Sequence, residues 1–78
     1  LSDNTPASKL YRVQVGAFKN RNYAYELNSQ LTEEGFPAFI LMDKDLYKVQ
    51  VGAFSRLENA IRMEYRLRAA GYDTYITT

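Results

Sequence analysis

One eight-residue phrase occurs twice in this chain of 78 residues: YRVQVGAF begins at Tyr11 and YKVQVGAF begins at Tyr47. The two copies are 36 residues apart, and their similarity continues without a gap beyond the phrase. Solenoid proteins also show such periods, but they need about three or more copies to bury their faces. We therefore predict that two copies, spanning residues 11–42 and 47–78, close on each other in one small domain.

Each copy predicts a strand, then a helix, then a second strand. Val13 and Val15 are β-branched residues at a period of two, which favours a strand. A narrow apolar stripe at helical spacing follows in both copies. It comprises Ala24, Leu27 and Leu31 in the first copy and Ala60, Met63 and Leu67 in the second. The second strands are predicted at residues 37–42 and 73–78.

Capping residues mark the predicted helix ends. Asn20 is the predicted N-cap of the first helix, and residues 55–58 (SRLE) form a capping-box pattern at the start of the second. Gly35 and Gly71 stand where a left-handed residue would end each helix. The helices are thus bounded at both ends.

The element order βαββαβ predicts an α+β fold, with residues 43–45 (DKD) as a short polar connection. Two interlocking right-handed βαβ units give a ferredoxin-like or RNP-like, four-stranded antiparallel sheet with both helices on one face. The first and third strands become central neighbours, related by a pseudo-two-fold axis. Gly16 and Gly52 are predicted bulge or close-approach positions, and Phe18 and Phe54 are predicted to pack where the helices meet the sheet.

The alternation of side chains along strands assigns residues to the open face of this sheet. If Val13 points toward the helices, Arg12 and Gln14 point away, and the same parity places Lys48 and Gln50 there. The outer strands add the aromatic residues Phe39 and Tyr75 at the flanks of this face. A glutamine on an exposed strand is most often only a solvated polar residue, and this interpretation stands beside a binding role.

The composition argues against catalysis. There is no histidine and no cysteine, so the usual catalytic triads, zinc sites and disulfides are excluded. The adjacent Glu33 and Glu34 diverge on a helix, and Asp43 with Asp45 is too sparse for a calcium loop. We therefore predict no catalytic residue, no metal and no cofactor.

Charge and hydropathy limit the partners. The net charge is +1, with ten basic and nine acidic side chains and no basic tract, which argues against strong nucleic-acid binding. No stretch approaches the roughly 20 apolar residues of a membrane span. Residues 1–9 (LSDNTPASK) are predicted to be a linker before a domain at 10–78, as in a module of a larger protein. Ile61 and Tyr65 lie outside the core stripe, and either cover this linker or form a contact surface.

Several motifs together resemble a known family. These are VQVGAF, a helix containing Asn-Ala or Tyr-Ala, a leucine before Ala-Gly-Tyr or Glu-Gly-Phe, and the segment NAIRMEYRLRAAGYDTYI. Over residues 10–78 the chain resembles the SPOR domain, the sporulation-related repeat of bacterial envelope proteins. The resemblance implies a non-catalytic module that binds peptidoglycan, prefers denuded glycan strands without stem peptides, and brings its parent protein to the division septum. It also implies an extracytoplasmic location, on a parent such as a cell-wall amidase or a division protein.

In this family the glycan lies on the open face of the sheet, and the motif glutamine of the first strand is associated with binding. That position is Gln14 here, with Gln50 as its repeat partner. Their amides match sugar hydroxyls and acetamides. Because a glycan chain is directional and the predicted face is nearly two-fold symmetric, we expect the two glutamines to contribute unequally.

The remaining candidates have narrower predicted roles. Arg12 and Lys48 would pair with the muramic acid carboxylates that stem peptides otherwise mask. Phe39 and Tyr75 would stack on the apolar faces of sugars. We expect a monomer that contacts neither nucleic acid nor a membrane. The alternatives are an RNA-binding RRM-like module, which normally carries aromatic residues on its central strands, and a protein–protein adaptor.

Overall fold

A computed structural model describes residues 10–78 as a four-stranded sheet with two helices. The elements are β1 (Tyr11–Phe18), α1 (Arg21–Glu33), β2 (Ala38–Asp43), β3 (Leu46–Phe54), α2 (Leu57–Ala69) and β4 (Tyr75–Thr77). The linker predicted at residues 1–9 lies outside the described residues. No helix in the described part of the chain is long and apolar enough to cross a membrane.

The sheet confirms the predicted α+β topology. Its strand order is β2-β3-β1-β4, and every neighbouring pair is antiparallel. The helices begin 36 residues apart, at Arg21 and Leu57, which is also the spacing of the duplicated phrase. The central neighbours are β1 and β3, as the two copies of the phrase predict.

The core lies between the sheet and the two helices. Val13, Val49 and Val51 are fully buried on the central strands, and each predicted helical stripe faces them. The stripe residues Ala24, Leu31, Ala60, Met63 and Leu67 are buried, and Leu27 packs against the same cluster. Burying a side chain of the valine or leucine class contributes about 1.5–3 kcal/mol, so this small cluster supplies most of the drive to fold.

Two bulges interrupt the pairing of the central strands. Val15 is an extra residue in β1 between Gln14 and Gly16, and Gly52 is an extra residue in β3. The bulge in β1 brings Gly16 to the helix side, opposite Val49. A Cβ atom there would lie 2.8 Å from the Phe18 ring, which confirms the predicted close approach. Phe18 and Phe54 both pack against the core, as predicted.

The helix ends confirm one predicted cap and contradict another. The Asn20 side chain accepts a hydrogen bond from the backbone N–H of Asn22 at 2.8 Å. The capping box predicted at residues 55–58 is wrong, because the N-cap of α2 is Arg56, which makes no side-chain capping bond. Helix α2 begins at the position equivalent to the start of α1, so Ser55 lies one residue too early to cap it.

Glycines with positive φ end both helices. Gly35 has φ +92 and Gly71 has φ +100. At the end of α1, the N–H of Phe36 donates to the carbonyl of Leu31, and the Gly35 N–H donates to Thr32, as in a Schellman motif. These bonds satisfy carbonyls that the helix itself leaves unpaired.

The outer strands differ from their predicted limits. Strand β2 runs one residue past its predicted end, to Asp43, and a two-residue turn with Lys44 at φ 57 leads into β3. Strand β4 covers only Tyr75–Thr77. Just before it, the Thr74 carbonyl accepts a hydrogen bond from Arg68 Nη2 at 3.2 Å, and the Thr74 hydroxyl donates to Glu64 at 3.0 Å.

Candidate functional site

Four side chains form one row across the open face of the sheet, one from each strand. Gln14 of β1 lies directly opposite Gln50 of β3. Phe39 of β2 is the cross-strand partner of Gln50, and Tyr75 of β4 is the cross-strand partner of Gln14. The structure thus brings together four of the six predicted site residues as a continuous row: aromatic, amide, amide, aromatic.

The two glutamines are buried, although the sequence pattern treats them as residues of an open face. Gln14 is 5% exposed and Gln50 is 3% exposed. The interpretation of each as a solvated surface residue is therefore wrong. Each amide is flanked by the other glutamine and by an aromatic ring, and these neighbours exclude solvent. A buried amide needs hydrogen-bond partners, since leaving one unpaired costs about 1–3 kcal/mol.

The two halves of the row satisfy this need differently. Gln14 Nε2 donates to the Tyr75 hydroxyl at 2.8 Å. At the equivalent position beside Gln50 stands Phe39, which has no hydroxyl. The Oε1 atom of Gln50 is buried and has no hydrogen-bond partner. Gln14 is therefore hydrogen-bonded within the row, whereas the Oε1 atom of Gln50 is not.

A shallow depression of about 320 Å³ lies beside Gln50. It is lined by Arg12, Leu41, Met42, Asp43, Lys48, Gln50, Thr77 and Thr78. Gln14 does not line it. The depression thus combines a glutamine, two basic side chains, the carboxylate of Asp43 and hydroxyl groups, which can bind a polar ligand through hydrogen bonds and charge.

Lys48 faces the open side as predicted, but it is already paired. Its Nζ atom donates to Asp43 Oδ2 at 2.8 Å. This hydrogen bond and the lysine charge lower the pKa of the Asp43 carboxyl from its ordinary value. A ligand carboxylate that approaches Lys48 must therefore compete with Asp43. Arg12, the other predicted base, lies further along β1, opposite Ala53 and Thr77, and lines the same depression.

Some lining residues were not among the sequence candidates. Leu41, Asp43 and Thr77 all contribute to the depression. The signal was present, because Leu41 and Asp43 continue the period of two that begins at Phe39, and Thr77 continues the one that begins at Tyr75. The side chains of residues 10–78 contain no group of three or more metal-ligating residues. The arrangement suits binding through hydrogen bonds, stacking and charge.

Comparisons with known proteins identify the family and support the fold. The family model described as the SPOR domain matches residues 7–78. A similar solved structure is the solution structure of the peptidoglycan binding domain of the B. subtilis cell wall lytic enzyme CwlC. The two chains are 42% identical over 94% of this chain and 92% of that one, with a TM-score of 0.83. No curated protein sequence matches. The family match covers the sheet, both helices and the whole candidate site, and the chain therefore belongs to the SPOR domain family.

Proposed function

We propose that this domain is a non-catalytic peptidoglycan-binding module that binds denuded glycan strands on the open face of its sheet. The observation that carries the proposal is the row of Phe39, Gln50, Gln14 and Tyr75 across that face. Membership of the SPOR family supports it, as does similarity to a domain described as peptidoglycan-binding.

The row has the chemistry that an amino-sugar polymer requires. Phe39 and Tyr75 are 37% and 52% exposed, so their rings are accessible for stacking on the C–H faces of sugars. Glutamine amides both donate and accept, as do the acetamide groups of the glycan. Central aromatic residues, which an RRM-like module uses to stack bases, are replaced here by Gln14 and Gln50. The face therefore favours a sugar over a nucleic acid.

We attribute the preference for denuded strands to the two basic side chains beside the row. Removal of the stem peptide leaves a carboxylate on each muramic acid, and a carboxylate binds arginine more strongly than an amide does. Arg12 and Lys48 line the depression, but Lys48 already donates to Asp43. Arg12 is therefore the main source of the preference for denuded strands. Lys48 contributes only when its hydrogen bond to Asp43 is replaced by one to the glycan carboxylate.

The biological consequence is targeting. A module that recognises denuded strands concentrates its parent protein where amidases act, which places it outside the cytoplasm at the division septum or a sporulation cell wall. The parent would be a cell-wall hydrolase such as an N-acetylmuramoyl-L-alanine amidase, or a division protein. The domain itself would act as a monomer, without contact to nucleic acid or membrane.

Co-sedimentation with purified sacculi tests the proposal. We expect more domain to sediment with amidase-treated sacculi than with untreated ones, and Arg12→Gln to reduce this difference. Arg62→Gln is the matched control, because it removes the same charge from an exposed position on α2. Equal retention by both kinds of sacculi would remove the denuded-strand preference. Retention by neither, together with RNA retardation in a gel at low salt, would favour the nucleic-acid alternative.

A further inference from the structure

The two edge strands of the sheet differ in how much backbone they expose. Strand β4 has only three residues, whereas β2 has six, from Ala38 to Asp43. Strand β2 carries no proline, no lysine and no bulge, and its single charged residue, Asp43, stands at its end. Proteins commonly protect an edge with such features, because an exposed edge pairs readily with another extended chain. The edge of β2 is therefore open to such pairing.

The register of the β2–β3 hairpin shows which backbone groups face outward. Asp43 pairs with Leu46 across a two-residue turn, so these two residues exchange both backbone hydrogen bonds. Hydrogen-bonded and non-hydrogen-bonded pairs alternate along an antiparallel ladder, and Ile40 and Met42 therefore direct their N–H and C=O groups away from β3. Neither residue makes another backbone hydrogen bond within residues 10–78. An added strand can bond to all of these groups.

A hollow of about 370 Å³ lies beside this edge, between β2 and α1. It is lined by Tyr25, Asn28, Ser29, Ala38, Phe39 and Ile40. The Ile40 side chain lies on the helix side of the sheet, where it packs against the core. Because directly opposed residues point to the same face, the side chain opposite Ile40 on an added strand also points to the helix side. That side chain enters the hollow.

The second copy of the repeat closes the equivalent place. Glu64 and Arg68 of α2 both hydrogen-bond Thr74, just before β4. In the first copy Asn28 stands at the position of Glu64, and Ala38, which has no hydroxyl group, stands at the position of Thr74. The hollow beside β2 is thus a departure from the duplication, and it coincides with the longer edge.

The surface of α1 next to the hollow is acidic. Glu26 and Glu33 are exposed, and neither belongs to an ion pair within residues 10–78. They line a surface depression that shares Tyr25 and Ser29 with the hollow. The helix has one basic residue, Arg21, whose guanidinium lies 5.4 Å from the centre of the Tyr25 ring. A strand with basic side chains on either side of its central residue complements this surface.

We propose that the edge of β2 binds an extended peptide segment of a partner protein, with an apolar side chain in the hollow and basic side chains beside Glu26 and Glu33. Backbone hydrogen bonds to Ile40 and Met42 supply affinity, and the hollow supplies selectivity. The peptide extends the sheet at its edge and does not cover the open face, so the domain can hold a glycan strand and a protein together. The proposal does not depend on the glycan site.

NMR titration of the ¹⁵N-labelled domain with a short probe peptide tests the proposal. The probe is Thr-Arg-Thr-Phe-Thr-Arg-Thr with blocked ends, which places phenylalanine between two arginines on one side of an extended chain. We expect the largest shifts at the backbone amides of Ile40, Met42, Tyr25 and Ser29. Replacing the phenylalanine of the probe by alanine should weaken binding about tenfold, and replacing its arginines by glutamates should weaken it further. The absence of saturable shifts at these amides overturns the proposal.

Met42→Pro blocks the edge. Proline removes the outward N–H of residue 42, and edge strands tolerate proline where the N–H faces solvent. Met42→Thr is the matched control, because it also loses a side chain that is 61% exposed but retains the N–H. We expect Met42→Pro to bind the probe about fivefold more weakly or worse, and Met42→Thr to bind it within about twofold of the unsubstituted domain. Equal affinities in the two variants overturn the proposal.

Ser29→Tyr fills the hollow and keeps the test valid if Met42→Pro does not fold. The equivalent position of α2 is the exposed Tyr65, so a tyrosine suits this place on a helix. We expect Ser29→Tyr to weaken binding of the probe about fivefold or more, with an unchanged circular dichroism spectrum. Undiminished binding would mean that the peptide lies elsewhere. Shifts in β2 that depend on domain concentration without the probe would mean that a second copy pairs with this edge, and the assignment to a partner peptide would then be wrong.

Discussion

Replacing Gly52 by alanine should destabilise the domain more than replacing Gly35, which also has a positive φ. Gly52 is the extra residue of the β3 bulge and has φ +78. An L-residue in the left-handed region costs roughly 1–2 kcal/mol. A Cβ atom would also lie 2.7 Å from the Phe54 ring, which packs against the core and cannot swing freely aside. Overpacking of this kind costs typically 1–3 kcal/mol. The sum is about 2–5 kcal/mol.

Gly35→Ala is the matched control for the backbone part of this cost. Gly35 has φ +92, but a Cβ atom there would meet nothing within 4 Å. We therefore expect Gly35→Ala to cost only the backbone part, about 1–2 kcal/mol. Urea unfolding followed by circular dichroism measures both free energies of unfolding. If Gly52→Ala lowers the free energy of unfolding no more than Gly35→Ala does, the Phe54 ring moves aside without cost. The explanation of the glycine in the bulge is then wrong.

Two further predictions concern capping and pH. Asn20→Ala should lower the free energy of unfolding by about 1 kcal/mol, because the Asn20 side chain caps α1. Arg56→Asn should raise the free energy of unfolding by a smaller amount, because α2 has no side-chain cap. Urea unfolding checks both variants, and a destabilised Arg56→Asn would contradict the assignment of Arg56 as the N-cap. Burial and the hydrogen bond to Glu34 raise the pKa of Tyr72, so the native state holds the phenolic proton more tightly than the unfolded chain does. Its contribution to stability is therefore complete below the ordinary pKa near 10 and is lost as the pH rises through the raised pKa. Unfolding measured between about pH 8 and 11.5 should show a steeper loss for the unsubstituted domain than for Tyr72→Phe, and parallel curves would refute this.

The sequence predicted the fold well because the same pattern occurs twice. The alternating valines and the helical stripes defined six elements, and a 36-residue duplication left few ways to arrange them. Helix starts were harder to place. The SRLE pattern suggested a cap at Ser55, but the chain needs one more residue after β3 before α2 can begin. A local pattern does not contain that geometric requirement.

The candidate site was predicted by face but not by environment. Alternation along the strands placed Gln14 and Gln50 on the open side, where the structure also has them. Their burial could not be predicted, because it depends on cross-strand register, which the two bulges set. The pairing of Lys48 with Asp43 depends likewise on the β2–β3 hairpin. The difference between Phe39 and Tyr75 was visible in the aligned copies, but its meaning required knowledge of which glutamine each ring adjoins.

A variant that combines Gln14→Ala with Gln50→Ala would be nearly neutral for stability if both residues were solvated. Since they are 5% and 3% exposed, the double variant also loses the Gln14–Tyr75 hydrogen bond and opens space in the row. Loss of binding in that variant therefore does not distinguish a lost ligand contact from a disturbed sheet. The single variants Gln14→Met and Gln50→Met, whose side chains are apolar and of similar length, are the better probes.

The central claim is that the glycan binds the open face of the sheet, and a chemical-shift titration by NMR tests it most directly. A ¹⁵N-labelled domain is titrated with a soluble denuded glycan fragment. We predict that the largest shifts occur at the side-chain amide of Gln50 and at the backbone amides of Arg12, Lys48 and Thr77, while α1 and α2 stay unchanged. Shifts concentrated on the outer surface of α1, around Tyr25, with none in the row of Phe39, Gln50, Gln14 and Tyr75, would contradict the account.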